Sequence, residues 1–311
     1  MSIYSFPDRG PWGRNAYRGN ASGHLYKSLF DQLKPASFID PMAGSGTSLE
    51  VAQTCGIQAW GLDLNPDFPQ LVRAAGDRVH AVGGFNALRD RIVDVVGQRA
   101  ELVVSHPPYG KLLPYSGQGG MWGAQAHPDD LSHMDDDAFM EALQHVMLNQ
   151  RDATTPGGLY GCVIGDWRRA GQYTSYQAEL IARMPRELAG VLIKGQHNTT
   201  SGRQSYGRMR LPMITHEYVV LFERREESVY LVLADVVTRQ AAATRGTWRN
   251  VVRLALQTLG GRADLSALYA YVGDHPRASG KTHWKEKVRQ TLQLYPEFQA
   301  ADRGVWTLHA A

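Results

Sequence analysis

Cysteine is nearly absent from this chain. Only Cys55 and Cys162 occur in 311 residues, and they form no CxxC pair. A disulfide framework and a thiolate zinc site are therefore excluded as expectations, and a reducing, cytoplasmic setting is the default. Long apolar runs are missing too: none approaches the ~20 residues of a membrane-spanning helix, and residues 1–10 show no signal-peptide pattern. Internal repeats and low-complexity segments are also lacking. Charge is close to balanced, with 33 Lys and Arg against 30 Asp and Glu. The balance hides an asymmetry. Residues 244–311 carry ten Lys and Arg against five Asp and Glu, which leaves −2 of the net +3 on the other 243 residues. A basic excess gathered in one module points to a nucleic-acid partner. At 43% hydrophobic and 20% charged, the chain has the composition and length for a full α/β core plus a small second domain.

Glycine is plentiful where it matters most. The stretch Phe38-Ile39-Asp40-Pro41-Met42-Ala43-Gly44-Ser45-Gly46-Thr47-Ser48 reads as a strand, a tight glycine turn and the opening of a helix. Such a turn lets a ligand approach bare backbone at a helix N-terminus. No Lys follows Gly46, which disfavours Walker-type phosphate binding. A second strand, Ala59 to Leu64, carries Asp63, roughly 20 residues beyond the glycine turn, where a carboxylate can accept from both hydroxyls of a nucleotide ribose. Val79 to Val82 reads as a third strand, after which Asn86 is placed to meet an adenine edge with Phe85 beside the ring. Leu102 to Ser105 reads as a fourth parallel strand running into His106-Pro107-Pro108-Tyr109-Gly110.

The pattern DPxxGSGT, followed 60 residues later by Ser-His-Pro-Pro-Tyr, resembles the S-adenosylmethionine-dependent DNA amino-methyltransferases, which modify cytosine N4 or adenine N6. The resemblance covers most of residues 12–223. It implies a Rossmann-like α/β sheet, mostly parallel with an antiparallel last strand, and S-adenosylmethionine as cofactor. The cofactor residues it implies are Asp40, Pro41, Ala43, Gly44, Ser45, Gly46 and Thr47 of the turn, with Asp63 at the ribose and Asn86 at the adenine. Asn20 and Ser22 are added from a segment that closes over the methionine end. It also implies a catalytic group of Ser105, His106, Pro107, Pro108 and Tyr109. An exocyclic amino group is a poor nucleophile, because its lone pair is delocalised into the ring. A polar acceptor and a proline carbonyl can accept its hydrogens while Tyr109 stacks on the flipped base. Adenine-N6 enzymes typically have Asp or Asn where this chain has His106, and cytosine-N4 enzymes typically have Ser before Pro-Pro. The missing Asp or Asn favours cytosine N4. Cytosine-C5 chemistry is excluded, because neither cysteine follows a proline to supply the thiolate.

Further along, residues 111–134 read as a polar loop lying over the site. Its His127, Asp129, Asp130 and His133 offer no ligand pair with a clear partner, and no metal is expected. Pro156-Gly157-Gly158 reads as a turn into a fifth strand ending at Gly165. Val191 to Ile193 and Tyr218 to Phe222 read as an antiparallel pair. The expected organisation is a methyltransferase domain over 1–235 and a winged-helix-like DNA-binding domain over 245–311. In the latter, three helices (Trp248–Leu259, Leu265–Val272, His283–Leu294) precede a β-ribbon around Gly304. Lys285, Lys287 and Arg289 on the third helix suit phosphates, whereas Arg203, Arg208 and Arg210 are candidates for reading bases. Double-stranded DNA is the expected partner, with a cognate restriction endonuclease as a further one, and no membrane; oligomeric state is open. The competing readings are an RNA or protein-glutamine methyltransferase and a non-enzymatic winged-helix regulator.

Overall fold

The structure is a computed structural model. It describes residues 2–197 except 15, 75, 170 and 171, then 211–225, then 248–308 except 274, 276, 277, 279, 280 and 296. The chain divides into two compact units between residues 228 and 229.

In the first unit the elements run β1 (Ile3–Ser5), α1 (Gly23–Leu33), β2 (Ser37–Asp40), α2 (Thr47–Thr54), β3 (Gln58–Asp63), α3 (Phe68–Leu71), β4 (Val79–Gly83), α4 (Ile92–Val96) and β5 (Ala100–Ser105). They continue with α5 (Asp136–Asp152), β6 (Thr154–Ile164), β7 (Trp167–Arg169), β8 (Gln172–Thr174), α6 (Tyr176–Arg183), β9 (Leu188–Gly195) and β10 (His216–Glu223). Eight strands form one sheet in the order β1-β9-β10-β6-β5-β2-β3-β4. Strands β4, β3, β2, β5 and β6 are parallel, and β10 runs antiparallel between β6 and β9. This is the expected Rossmann-like sheet, mostly parallel with an antiparallel last strand.

Strand periodicity explains why helices cover both faces. Phe38, Leu102, Val104, Val163 and Val219 point to a core shared with Leu25 and Leu29 of α1 and Leu49 of α2. Their neighbours Ile39, Val103, Ile164 and Val220 point the other way, to Phe139 and Leu143 of α5 and Leu180 of α6. Successive side chains on a strand alternate faces, so a strand apolar at every position must be buried on both. Chain order reverses between β2 and β5, and crevices at the carboxyl ends of strands beside such a reversal are where α/β sheets bind ligands.

Helix α1 shows how local chemistry sets an end. Ser22 caps it by accepting from the His24 N–H at 3.3 Å, and Lys34 closes it in the left-handed region at φ 50°, just before Pro35. A side chain there is strained, so Lys34→Gly is expected to stabilise the unit by about 0.5–1 kcal/mol. Urea denaturation checks this; a loss of stability would contradict it.

Three features depart from the sequence expectation. Pro156-Gly157-Gly158 lies within β6, where the register against β5 shifts, so it is an irregular strand start and no separate turn. Residues 3–5 add an edge strand parallel to β9. Residues 167–169 and 172–174 form a small antiparallel pair, β7 with β8.

The second unit, taken by itself, contains α7 (Trp248–Thr258), β11 (Arg262–Asp264), α8 (Leu265–Gly273), α9 (Trp284–Leu294), β12 (Phe298–Asp302) and β13 (Val305–Leu308). The strands form a sheet in the order β11-β13-β12, both pairs antiparallel, so the ribbon gains a third strand. Val251, Val252, Leu256, Leu268, Val288 and Leu292 make its core.

Candidate active site

The turn after β2 is held from below by Asp40. One carboxylate oxygen accepts from the Met42 N–H at 3.1 Å and the other from the Ser48 hydroxyl at 2.6 Å. Burial pushes this carboxyl up to about 7. Asp40 thus builds the turn from beneath, and it does not line the cavity above. Gly44 and Gly46 have φ of 56° and 81°, conformations that cost other residues dearly. A Cβ on Gly44 would also stand 3.1 Å from the Tyr17 ring, and one on Gly46 2.9 Å from Val72. Gly46 lies just before Thr47, the first residue of α2, and like Asp40 it shapes the turn without lining the cavity. At the end of β3, Asp63 accepts from the Gly44 N–H at 2.8 Å and the Asn65 N–H at 2.9 Å. Burial raises its carboxyl to about 6 against the pull of those two bonds.

The segment before α1 is tied onto this turn. Thr47 Oγ1 donates to Asn20 Oδ1 at 2.5 Å, and Arg9 donates to the Asn20 carbonyl. Glu50 of α2 accepts from the Gly13 N–H at 2.9 Å and pairs with Arg73, which in turn donates to the Gly13 carbonyl at 2.7 Å. Ser22 is employed elsewhere: besides capping α1 it donates to the Asp8 carbonyl at 3.0 Å, and it does not line the cavity.

These parts surround one cleft that opens to solvent. The glycine turn contributes Pro41, Ala43, Gly44, Ser45 and Thr47. Asn20, Asp63 and Asn86 come from three other segments, and His106 and Pro108 from the end of β5. Tyr115 and Trp122 of the 111–134 loop line it as well, as does Tyr17. The loop is folded by Asp130, which accepts from the Ser116 N–H at 2.8 Å, the Ser116 hydroxyl at 2.5 Å and the Ser132 N–H at 2.8 Å. Asp129 pairs with Arg89 and accepts from the Asn86 amide at 2.8 Å, while Asn86 Oδ1 accepts from the Leu88 N–H at 3.1 Å. Among the described residues no group of three or more His, Cys, Asp or Glu side chains could hold a metal ion.

At the end of β5 the five residues separate. Ser105 is fully buried and bonded to Gln150 at 2.7 Å. With the Gln150 amide turned so that its nitrogen meets the Val103 and Gly161 carbonyls, its oxygen accepts from the Ser105 hydroxyl. That contact stitches β5, β6 and α5 together beneath the sheet edge, and Ser105 does not line the cavity. Pro107 is buried, and Pro108 faces the cavity. Tyr109 reaches across to the antiparallel strands: its hydroxyl donates to Glu217 Oε1 at 3.0 Å and stands 2.8 Å from His106 Nε2. Tyr109 itself does not line the cavity. Glu217 pairs with Lys194, its register partner on β9. Burial opposes the Glu217 charge, but Lys194 and the surrounding hydrogen bonds bring the carboxyl down to about 2. Burial lowers His106 to about 4, so its ring is neutral near pH 7.

The sequence reading named neither Glu217 nor Lys194. Each is a charge directly beside an apolar strand run, Lys194 after Val191–Ile193 and Glu217 before Tyr218–Phe222, and that is the signal that could have marked them. Arg203, Arg208 and Arg210 lie outside the described residues. Lys285, Lys287 and Arg289 are exposed on α9, opposite buried Val288 and Leu292. Lys285 lies over the Tyr269 and Trp284 rings, Lys287 bonds Gln290, and Arg289 pairs loosely with Glu286.

No protein-family model matches this chain, and no curated protein does. Solved structures do. TrmN from Thermus thermophilus is similar over 67% of this chain, at 15% identity and a TM-score of 0.42. A TehB-like SAM-dependent methyltransferase from Corynebacterium glutamicum is similar over 68%, at 16% identity and a TM-score of 0.40. The N-methyltransferase NodS from Bradyrhizobium japonicum, solved with S-adenosyl-L-homocysteine, is similar over 68%, at 10% and 0.41. The matches cover 50% of the Thermus protein's own length and 90% of each of the other two. Likenesses this distant bring no substrate or ligand to the present chain.

Proposed function

We propose that this chain is an S-adenosylmethionine-dependent methyltransferase acting on the exocyclic amino group of a flipped base in double-stranded DNA, cytosine N4 ahead of adenine N6. One observation carries the reading: the Gly44–Asp63 turn and the His106–Pro108 turn line the same cleft. Asp63 would hold the ribose of S-adenosylmethionine, Asn86 would stand beside its adenine, and the Asn20–Thr47 bridge would cover its methionine end. At the end of β5, His106 and the Pro107 carbonyl would accept the amino hydrogens of the base. The cleft rings Tyr115 and Trp122 supply aromatic faces for the base, while Tyr109 stands behind His106. The cofactor brings the electrophilic methyl group; the chain binds, orients and excludes water.

The test is transfer of tritiated methyl groups from S-adenosylmethionine into duplex DNA. Label in RNA or protein would favour the corresponding methyltransferase, and cofactor binding without transfer to any of them would favour a regulator. A pH dependence follows from Asp63. Its carboxyl, raised to about 6 in the free protein, must be ionised to accept from both ribose hydroxyls. Affinity is therefore expected to strengthen as pH rises towards about 6 and to level off above, with proton uptake or release checked by calorimetry in two buffers. Affinity flat from pH 5 to 7 would contradict this.

The second unit is read as a winged-helix DNA-binding domain. Lys285, Lys287 and Arg289 contact phosphates, whereas Arg203, Arg208 and Arg210 read bases. Replacing the first three by alanine is expected to lower the salt slope of DNA binding by about 1 for each phosphate no longer neutralised, with sequence preference kept. Removal of residues 245–311 that leaves the slope unchanged and turns the protein monomeric would instead make this unit an oligomerisation module. A cognate restriction endonuclease is the further partner this function implies.

A further inference from the structure

A chain of buried polar groups runs from β9 across β10 to the cleft. Lys194 Nζ donates to Glu217 Oε2. Glu217 Oε1 accepts from the Tyr109 hydroxyl at 3.0 Å, and the same hydroxyl lies 2.8 Å from His106 Nε2. Glu217 is 5% exposed, and the Lys194 side chain 12%. A buried ion pair is a poor way to stabilise a fold, because desolvation offsets most of the attraction, so its placement behind the cleft calls for another reason.

The direction of each hydrogen bond follows from chemistry. Lys194 has donors only. Glu217 beside it is ionised and can only accept, so the phenol must spend its single hydrogen on Oε1. The phenol oxygen can then only accept from the histidine. Nε2 must therefore carry the imidazole hydrogen, and in the neutral ring this leaves Nδ1 with a bare lone pair. Nδ1 has no hydrogen-bond partner among the described residues, while the residue lines the cleft. The direct His106–Glu217 separation is 3.9 Å, too long for a hydrogen bond, so the tyrosine hydroxyl is what joins them.

We infer that Lys194, Glu217 and Tyr109 act as positioning residues that fix His106 as its Nε2–H tautomer, presenting Nδ1 as the acceptor for an N–H of the substrate amino group. The inference rests on the methyltransferase reading for the identity of that amino group, but the tautomer does not. An acceptor is what the site needs here: the opposite tautomer would point an N–H at an NH₂, two donors facing each other, and the base would be repelled. The Ser105 hydroxyl cannot substitute, since it is engaged with Gln150. The tyrosine hydroxyl thus transmits the Glu217 charge to the ring as an orientation.

The experiment has a spectroscopic arm and a kinetic one, both on the full chain. Long-range ¹H–¹⁵N spectra of histidine-labelled protein, assigned by loss of one ring's signals in His106→Asn, report the tautomer without any substrate. The expected result is Nε2–H in the wild type at pH 7, moving to a tautomer mixture in Glu217→Gln, where an amide can donate to the phenol as well as accept from it, and in Tyr109→Phe. A wild-type ring protonated on Nδ1 would overturn the inference. In the kinetic arm, Glu217→Gln is expected to lower kcat by about 10- to 100-fold, the scale seen where outer partners fix a histidine tautomer at metal sites. The KM for S-adenosylmethionine should be unchanged. In a His106→Asn background the acceptor no longer depends on a tautomer, so the same Glu217→Gln change should cost little. An equal cost in both backgrounds would show Glu217 to be merely structural. A ring of the expected tautomer in a protein that transfers no methyl group would refute the methyltransferase reading alone, so the two failures are distinguishable.

Discussion

Replacing His106 by alanine is expected to reduce methyl transfer by about 10²- to 10⁴-fold, the range for a group that acts directly on a reacting proton-bearing centre. S-adenosylmethionine affinity should stay near the wild-type value. The separation follows from the geometry. His106 lines the cleft from the end of β5, whereas the glycine turn and Asp63 occupy the ends of β2 and β3, held by their own backbone bonds. His106→Asn, which keeps an acceptor oxygen, should recover much of the loss. Tyr109→Ala is expected to act in the same direction, since it removes the hydroxyl joining Glu217 to the ring. Single-turnover rates beside equilibrium cofactor binding check all three. If binding and transfer fall in parallel, these residues belong to the cofactor pocket or to the core.

Asp63→Ala is the counterpart on the cofactor side. A carboxylate accepting two ribose hydroxyls contributes about 1.5–3 kcal/mol per bond, so loss of roughly 10- to 100-fold in affinity for each is expected. The substitution also frees the Gly44 N–H that the carboxylate holds at 2.8 Å, and the turn loses its tie to β3. Stability should suffer less than that suggests. Burial keeps the Asp63 carboxyl near 6, so at neutral pH the free protein carries an unfavourably buried charge that alanine removes. The sign is clear: a carboxyl raised above its ordinary value weakens the folded state as pH climbs through the interval between the two. Calorimetric titration with S-adenosylmethionine, beside urea melts of both proteins, separates the effects. Unchanged affinity in a folded variant would move the ribose elsewhere.

What could be read from the sequence was local. Strand, glycine turn and helix N-terminus lie within eighteen residues from Ser37 to Thr54, and each piece carries its own signal: an apolar pair, two glycines with positive φ, a helical run. Asp63 was legible because it closes the next strand along. The doubly buried strands declared themselves by unbroken apolar runs. Edge elements were not legible, because three residues such as Ile3–Ser5 hold too little pattern to mark a strand, and their pairing with β9 comes from far along the chain. The long-range polar cluster was illegible for the same reason. Tyr109 and Glu217 stand 108 positions apart, and only the antiparallel insertion of β10 beside β6 brings the carboxylate behind the Pro-Pro turn. Ser105 shows the converse. Its place beside Pro-Pro suggested chemistry, but strand alternation turns its hydroxyl into the core against Gln150, so that the next residue, His106, faces the cleft.

The central claim is that the end of β5 presents a base's exocyclic amino group to a sulfonium methyl. Its most direct test is to incubate the full chain with S-adenosylmethionine carrying a deuterated methyl group and duplex DNA of mixed sequence. The DNA is then digested to nucleosides and analysed by mass spectrometry. The expected product is deuterium-labelled N4-methyldeoxycytidine, or N6-methyldeoxyadenosine if adenine is the base. Labelled 5-methyldeoxycytidine, or cofactor that binds without labelling any nucleoside while label enters protein or RNA, would contradict the account.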